Sequence, residues 1–290
     1  MKKMLTRLFV FFLFCVPAIV NAQSTVFSNE LRFARYLLDK EMYAEGMKVL
    51  MALDTTAISP EQKDSFYYTV GWAAYQYKQL DTAATMLLKV SPRAEVYRKS
   101  NAFAAYSMAF NQRLAEADAV FAAIPYADSL EYELVRFERA GIALLQRDYH
   151  LYDSLKAGFR FNSYVLQQEE KRMNVYRTEM GKFRNKSPLL AGVYSALLPG
   201  AGKWYAGKKK QGVAAFLPVA SLGAITYEAY RKGGVKSARF IAFGSLFSLF
   251  YVGNIWGSVL SVKVRQNEFK REYENKILFD MHIPLRNFYN

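Results

Sequence analysis

The sequence predicts an all-α protein in two parts, an N-terminal α-solenoid of stacked helix pairs followed by an α-helical transmembrane hairpin. Three observations predict it. Pro60, Pro92 and Pro125 break helix-period apolar patterns at spacings of 32 and 33 residues, and a regular break of that length marks a repeat of two short helices. The stretches 211–230 and 240–262 hold a single charged residue between them, Glu228, and each is about as long as the ~20 residues that cross a bilayer as a helix. The net charge of +14 is uneven: residues 23–165 hold 16 basic and 17 acidic side chains, whereas residues 166–290 hold 20 and 8. Basicity that flanks apolar runs suits anionic lipid headgroups, and the expected partner is membrane lipid and not nucleic acid.

Residues 1–22 read as a secretory signal peptide. Lys2, Lys3 and Arg7 form its positive start, an uncharged core runs from residue 8 to 20, and Val20-Asn21-Ala22 offers a small-residue cleavage site. The one cysteine, Cys15, lies inside that core, so disulfides, thiol catalysis and cysteine-bound metal are not expected of the mature chain.

Residues 23–165 form the repeat domain, expected to close its own core. An offset of 33 pairs Tyr77 with Phe110, Ala84 with Ala117, Leu88 with Phe121 and Pro92 with Pro125, and a further 34 takes Ala117 to Leu151 and Phe121 to Leu155. On these residues the region resembles the tetratricopeptide repeat, whose two helices cross where a small residue and a large apolar one stand four apart; Gly71-Trp72 with Tyr75 loosely echoes its first-helix signature. One helix pair cannot bury its apolar face alone, so the pairs stack and leave a concave face of peptide size. That face implies a protein or peptide partner.

Residues 166–186 read as a charged connecting helix exposed to solvent, from the run Gln167 to Arg172. Ser187-Pro188 then opens a new helix. The membrane hairpin domain, 187–265, holds a brief apolar segment (189–198), a turn and the two long apolar stretches. The turn carries Pro199, Gly200, Gly202, Trp204, Tyr205, Gly207 and Gly212, followed in part by the lipid-facing basic residues Lys208, Lys209 and Lys210. Glycines permit a sharp turn, the aromatic pair suits the headgroup boundary, and the lysines suit the water beyond it. In the last stretch Gly244, Ser248, Gly253, Gly257 and Ser261 nearly share one helical face, a helix-packing surface for the 211–230 helix or for a second copy. The turn is similar to that of bacterial membrane-hairpin domains of unknown function, and distantly to the two-transmembrane hairpin domain, with Lys203-Trp204 where the latter sets a histidine or arginine before its aromatic pair. Residues 266–290 read as a basic tail.

Two topologies compete. A cleaved signal with two long spans and a short embedded helix keeps the repeats and the C-terminus outside the cytoplasm; the positive-inside rule favours three crossings, with Lys208, Lys209 and Lys210 inside. Two long spans are preferred, because a ten-residue crossing is too short.

Chemistry is sparse. Gly202 to Lys209 comes within one residue of a phosphate-binding loop, but Lys209 stands where a hydroxyl must bind magnesium. His150 and His282 are the only histidines and neither has a ligand partner at helical spacing. No nucleophile elbow or paired-carboxylate site appears, and Glu228 reads as a carboxylate reaching the interface. Hence no enzyme activity, cofactor or metal is expected. The sequence points to a membrane-anchored helical-repeat scaffold or receptor of the bacterial inner membrane with its repeats in the periplasm; the alternative is an oligomeric transport or channel component assembled through the hairpin.

Overall fold

A computed structural model describes residues 25–56, 58–161 and 163–289. The signal peptide expected at 1–22 lies outside the described residues. Among those described there are helices and turns and no strands. The chain divides into two compact units: unit 1 takes in residues up to Arg177 and again from Ile277, and unit 2 runs from Thr178 to Lys276.

Unit 1 begins with four helix pairs, α1 (residues 25–39) with α2 (Tyr43–Met51), α3 (Pro60–Gln76) with α4 (Leu80–Leu87), α5 (Tyr97–Phe110) with α6 (Leu114–Ala123), and α7 (Ser129–Gln146) with α8 (Tyr149–Lys156). From α2 to α8 each helix packs on the next in chain order. The first helix of a pair tends to be the longer and carries the larger buried surface. Ser59 caps α3 in a capping box with Gln62, and Asp128 and Asp148 cap α7 and α8 by accepting from Glu131 N and Leu151 N, which satisfies amide groups that a helix start leaves free. Each pair is joined through one residue in the left-handed region, Glu41, Lys78, Gln112 and Arg147, with φ from 59° to 64°. Ala84 and Ala117 are both buried where the aligned repeats place them; Phe121 is buried too, but its partner in the alignment, Leu88, is exposed and Leu87 takes the core position instead.

Two stretches differ from the sequence reading. The helix expected as a solvated connector is α9 (Gln167–Lys182), and Leu166 and Met173 are fully buried on it or at its start, with Glu169 and Glu170 buried as well. Leu166, Met173 and Met180 stand seven apart, a spacing that keeps one face apolar beneath a dense charge pattern. The expected basic tail is helical, the end of α13 (Ala238–Tyr289). From Ile277 its residues belong to unit 1, where Ile277, Leu278, Met281 and Leu285 are at most 5% exposed. Met281 packs into a notch at Gly141 of α7, where an added Cβ would stand 2.6 Å from its sulfur. Unit 1 therefore draws part of its core from the chain's far end, and residues 23–165 do not close it alone.

Unit 2 holds α10 (Pro188–Leu197), α11 (Ala201–Tyr205), α12 (Lys209–Gly233) and α13 up to Lys276. By length and composition α12 and α13 are long and apolar enough to cross a membrane; α10 is an apolar helix of only 10 residues. Within the unit, Gly223 faces Phe247, Gly244 faces Thr226, and Tyr230 meets Phe240, so α12 and α13 run antiparallel through the turn at Gly234.

Candidate functional site

Two places concentrate polar and aromatic groups, one in each unit. In unit 2 it is the glycine-rich turn. Leu198-Pro199 ends α10, and Gly200 takes φ +83°, which only glycine adopts without strain. The chain then folds back as α11. In an apolar surrounding every backbone group left by a broken helix needs a partner, and side chains of α10 and α13 supply them here. Gly200 N donates to Asn254 Oδ1 (3.1 Å), Gly202 N to Ser195 Oγ (2.9 Å), and Asn254 Nδ2 to Ser195 O (3.4 Å). Ser195 and Ser258 share a hydrogen bond of 2.7 Å, and the Tyr251 hydroxyl donates to Ala196 O. Gly202 sits so close to α10 that a Cβ would fall 1.9 Å from Ala191 O; one on Gly212 would fall 2.1 Å from Trp204 Cδ1.

The other turn residues close the loop. Trp204 Nε1 donates to Lys209 O (3.0 Å), Ser187 N donates to the Tyr205 hydroxyl (3.2 Å), and Gly207 takes φ +88°. Lys186 donates to Tyr205 O, and Gln266 Nε2 reaches Lys186 O (2.9 Å). Thus α10 starts level with Gln266, descends to the level of Tyr251, and the chain is back by Lys208, which pairs with Glu268 at 3.3 Å. Lys208 is an ion-paired residue, while Lys209 and Lys210 are exposed.

The small-residue face of α13 is divided. Gly244 looks toward α12 and Gly257 toward Lys203; Ser248 and Gly253 are exposed, with nothing within 4 Å of a Cβ on Gly253. The surface that packs holds Asn254, Ser258, Ser261 and Val262, all buried. Asn254 is the one amide side chain in the 240–262 run, and that was the available signal for it.

In unit 1 a groove of about 510 Å³ opens between α3, α5 and the end of α13. Its walls are aromatic: Phe103 meets Trp72 edge-on at 5.0 Å and Tyr75 at 5.1 Å, and Tyr106 stacks on His282 at 5.2 Å. Tyr75 Oη and His282 Nε2 share a hydrogen bond of 2.5 Å, and the Tyr106 hydroxyl donates to Leu278 O (3.2 Å). His282, unpartnered in the sequence reading, meets a residue 207 positions away. Burial, aided by the nearby Arg286 charge, lowers its pKa below the usual 6.5, so the imidazole is neutral at pH 7. Burial likewise raises the Tyr75 and Tyr106 hydroxyls far above their ordinary range. His150 is exposed.

Three acids lie beneath this groove or along the same helix, and they are treated differently. Glu131 is buried but well supplied, by Arg98 (3.1 Å), the Tyr289 hydroxyl (2.7 Å) and Ala127 N (2.6 Å). Asp280 accepts from Arg172 Nε (2.8 Å) and the Tyr176 hydroxyl (2.9 Å). Glu138 is fully buried, and neither carboxyl oxygen has a hydrogen-bond partner among the described residues. Desolvation holds its pKa well above 4.5. A raised acid pKa means the folded state keeps its proton, so the contribution to stability is full below pH 4.5 and is lost as pH rises toward the folded value. Glu138→Gln should therefore stabilise unit 1 at pH 8 and change its stability little at pH 4. Thermal melts at the two pH values check this; an equal change at both would place the carboxyl in water.

Among the described residues no cluster of three or more metal-ligating side chains occurs. Comparison with protein families, with characterised proteins and with solved structures finds no match to this chain.

Proposed function

We propose that the protein is a membrane-anchored helical-repeat scaffold or receptor of the bacterial cell envelope, with unit 1 as a tetratricopeptide-like solenoid that binds a protein or peptide partner. The observation that carries it is the aromatic groove of unit 1, which stays open even though the end of α13 already completes the core beside it. The four left-handed turns at roughly 34–37-residue intervals support the solenoid reading.

Unit 2 is the anchor in this reading, with two long spans and one re-entrant element. Because α10 and α11 enter and return within the level from Gln266 to Tyr251, only α12 and α13 cross. Phe183 stacks on Phe269 at 3.8 Å, so the chain enters and leaves unit 2 at one end. The signal peptide then sets that end in the periplasm.

Cysteine labelling tests the topology. The mature chain has no cysteine, and single cysteines at Lys209 and Ser237 should label from the periplasm and the cytoplasm respectively. Labelling of both from one side refutes the two-span hairpin. A photo-crosslinker at Gln76, which lines the groove, should capture a discrete partner in intact cells, whereas one at His150 should not. Identical capture from both positions refutes the groove as the binding face.

A further inference from the structure

The charges around the groove are one-sided. Arg98, Arg113, Arg139, Arg160, Arg172 and Arg177 of unit 1 all pair with carboxylates. Arg286 lines the groove and has no carboxylate partner among the described residues; nor has Lys78, which lines it as well. No acidic side chain lines the groove. Asp81, which follows the Lys78 turn, is turned to Asn111 at 2.7 Å and Arg113 at 4.0 Å. The Tyr75–His282 pair, neutral at pH 7, does nothing to offset the two cations.

We propose that the groove binds an organic anion with a flat apolar body, a carboxylate joined to an aromatic ring, with the carboxylate held by Arg286 and Lys78 and the ring seated against Trp72, Phe103 and Tyr106. The proposal rests on the groove being the binding face of unit 1. A volume of about 510 Å³ lies within the size range of small-ligand sites. Aromatic walls favour a flat ring by edge and face contacts, and the guanidinium fork suits a carboxylate bidentately. An amine would face two like charges, and a neutral ring would leave Arg286 unmet. The carboxylate and ring can belong to a free aromatic acid or to the C-terminus of a peptide ending in an aromatic residue, which is the same chemistry from two sources.

The test uses the full chain in nanodiscs of zwitterionic lipid, with empty nanodiscs as the blank. Titration with 2-naphthoate, 2-naphthamide and 2-naphthylmethylammonium should show naphthoate binding at least ten-fold tighter than either of the others. Arg286→Gln, at an exposed and unpaired position, should weaken naphthoate at least ten-fold and leave naphthamide and the melting temperature unchanged; Lys78→Gln should weaken naphthoate to a lesser degree. Gly-Gly-Phe with a free C-terminus competing with naphthoate, while its amide does not, assigns the carboxylate to a peptide end. Naphthoate bound without peptide competition assigns it to a free acid. Naphthylmethylammonium binding as tightly as naphthoate, unchanged naphthoate affinity in Arg286→Gln, or no naphthoate binding above the blank overturns the proposal. Each of those results leaves the Gln76 crosslink, and with it the partner reading, to stand or fall separately.

Discussion

A chain ending at Lys276 should lose the cooperative melting of unit 1 while keeping the whole of unit 2. The deletion removes Ile277, Leu278, Met281 and Leu285, each nearly or fully buried. At about 1.5–3 kcal/mol for a buried large aliphatic side chain, the four contribute on the order of 6–12 kcal/mol. A domain is stable by only about 5–15 kcal/mol in total, so the loss is comparable to everything unit 1 has. It also removes polar contacts. Arg172 and Tyr176 lose Asp280, Tyr75 loses His282, and Glu131 loses Tyr289, and each hydrogen bond lost costs a further ~0.5–1.5 kcal/mol. Limited proteolysis in detergent should cut α3 to α8 rapidly in the shortened chain and slowly in the full one. A peptide of residues 277–289 added in trans should restore protection. Equal protection with and without the segment would show that α1 to α9 suffice.

The same segment shows why the sequence was only partly legible. The all-helical character could be read because apolar residues recur at helical period between the proline breaks, and Ala84 and Ala117, small residues within those patterns, are buried. The turns themselves were silent, because Lys78, Gln112 and Arg147 adopt positive φ without the glycine or asparagine that would announce it. In α9 the run of charges masked a seven-residue apolar spacing, and two of its acids are buried with partners close in the chain, Phe161 N on Glu170 at 2.9 Å and Arg172 on Glu169 at 2.8 Å, which a charge pattern alone does not reveal. His282 and Asp280 looked like parts of a basic tail because their partners, Tyr75 and Arg172, stand 207 and 108 residues away. Periodicity reports which face of a helix is apolar, and carries no information about which distant element covers it. In unit 2 the turn was legible for the opposite reason. Its requirements are local and fall on glycine, whereas on α13 the small-residue pattern includes Gly244 and Ser261, which pack within the chain, but not Asn254 and Ser258, which are buried beside it.

That turn sets the second large effect. Gly200→Val with Gly202→Val should unfold the fold-back of α10 and α11 and leave unit 1 intact. At Gly202 even a methyl group meets the Ala191 carbonyl at 1.9 Å and Ser195 Oγ at 2.6 Å, and a backbone oxygen cannot rotate away as a side chain can. At Gly200 the left-handed φ opposes a β-branched residue, and the Cβ would lie 2.2 Å from Gly212 O. Overpacking alone costs typically ~1–3 kcal/mol per site. Here the displaced turn also breaks Gly200 N from Asn254 and Gly202 N from Ser195, in surroundings where water does not replace them. The combined penalty should reach about 5 kcal/mol or more by these two terms. Trp204 reports on it, since its ring lies over Gly212. With Trp72→Phe and Trp256→Phe making it the sole tryptophan, its emission should shift to the red and its quenching by acrylamide should rise in the double-valine chain. Cleavage after Lys209 or Lys210 by trypsin should accelerate in parallel, while the melting of unit 1, which contains neither Gly200 nor Gly202, should match that of the same Trp72→Phe, Trp256→Phe chain with both glycines in place. Unchanged emission would mean that α11 does not depend on the close approach of Gly202 to α10, and the turn would then have to be held by the α12 side alone.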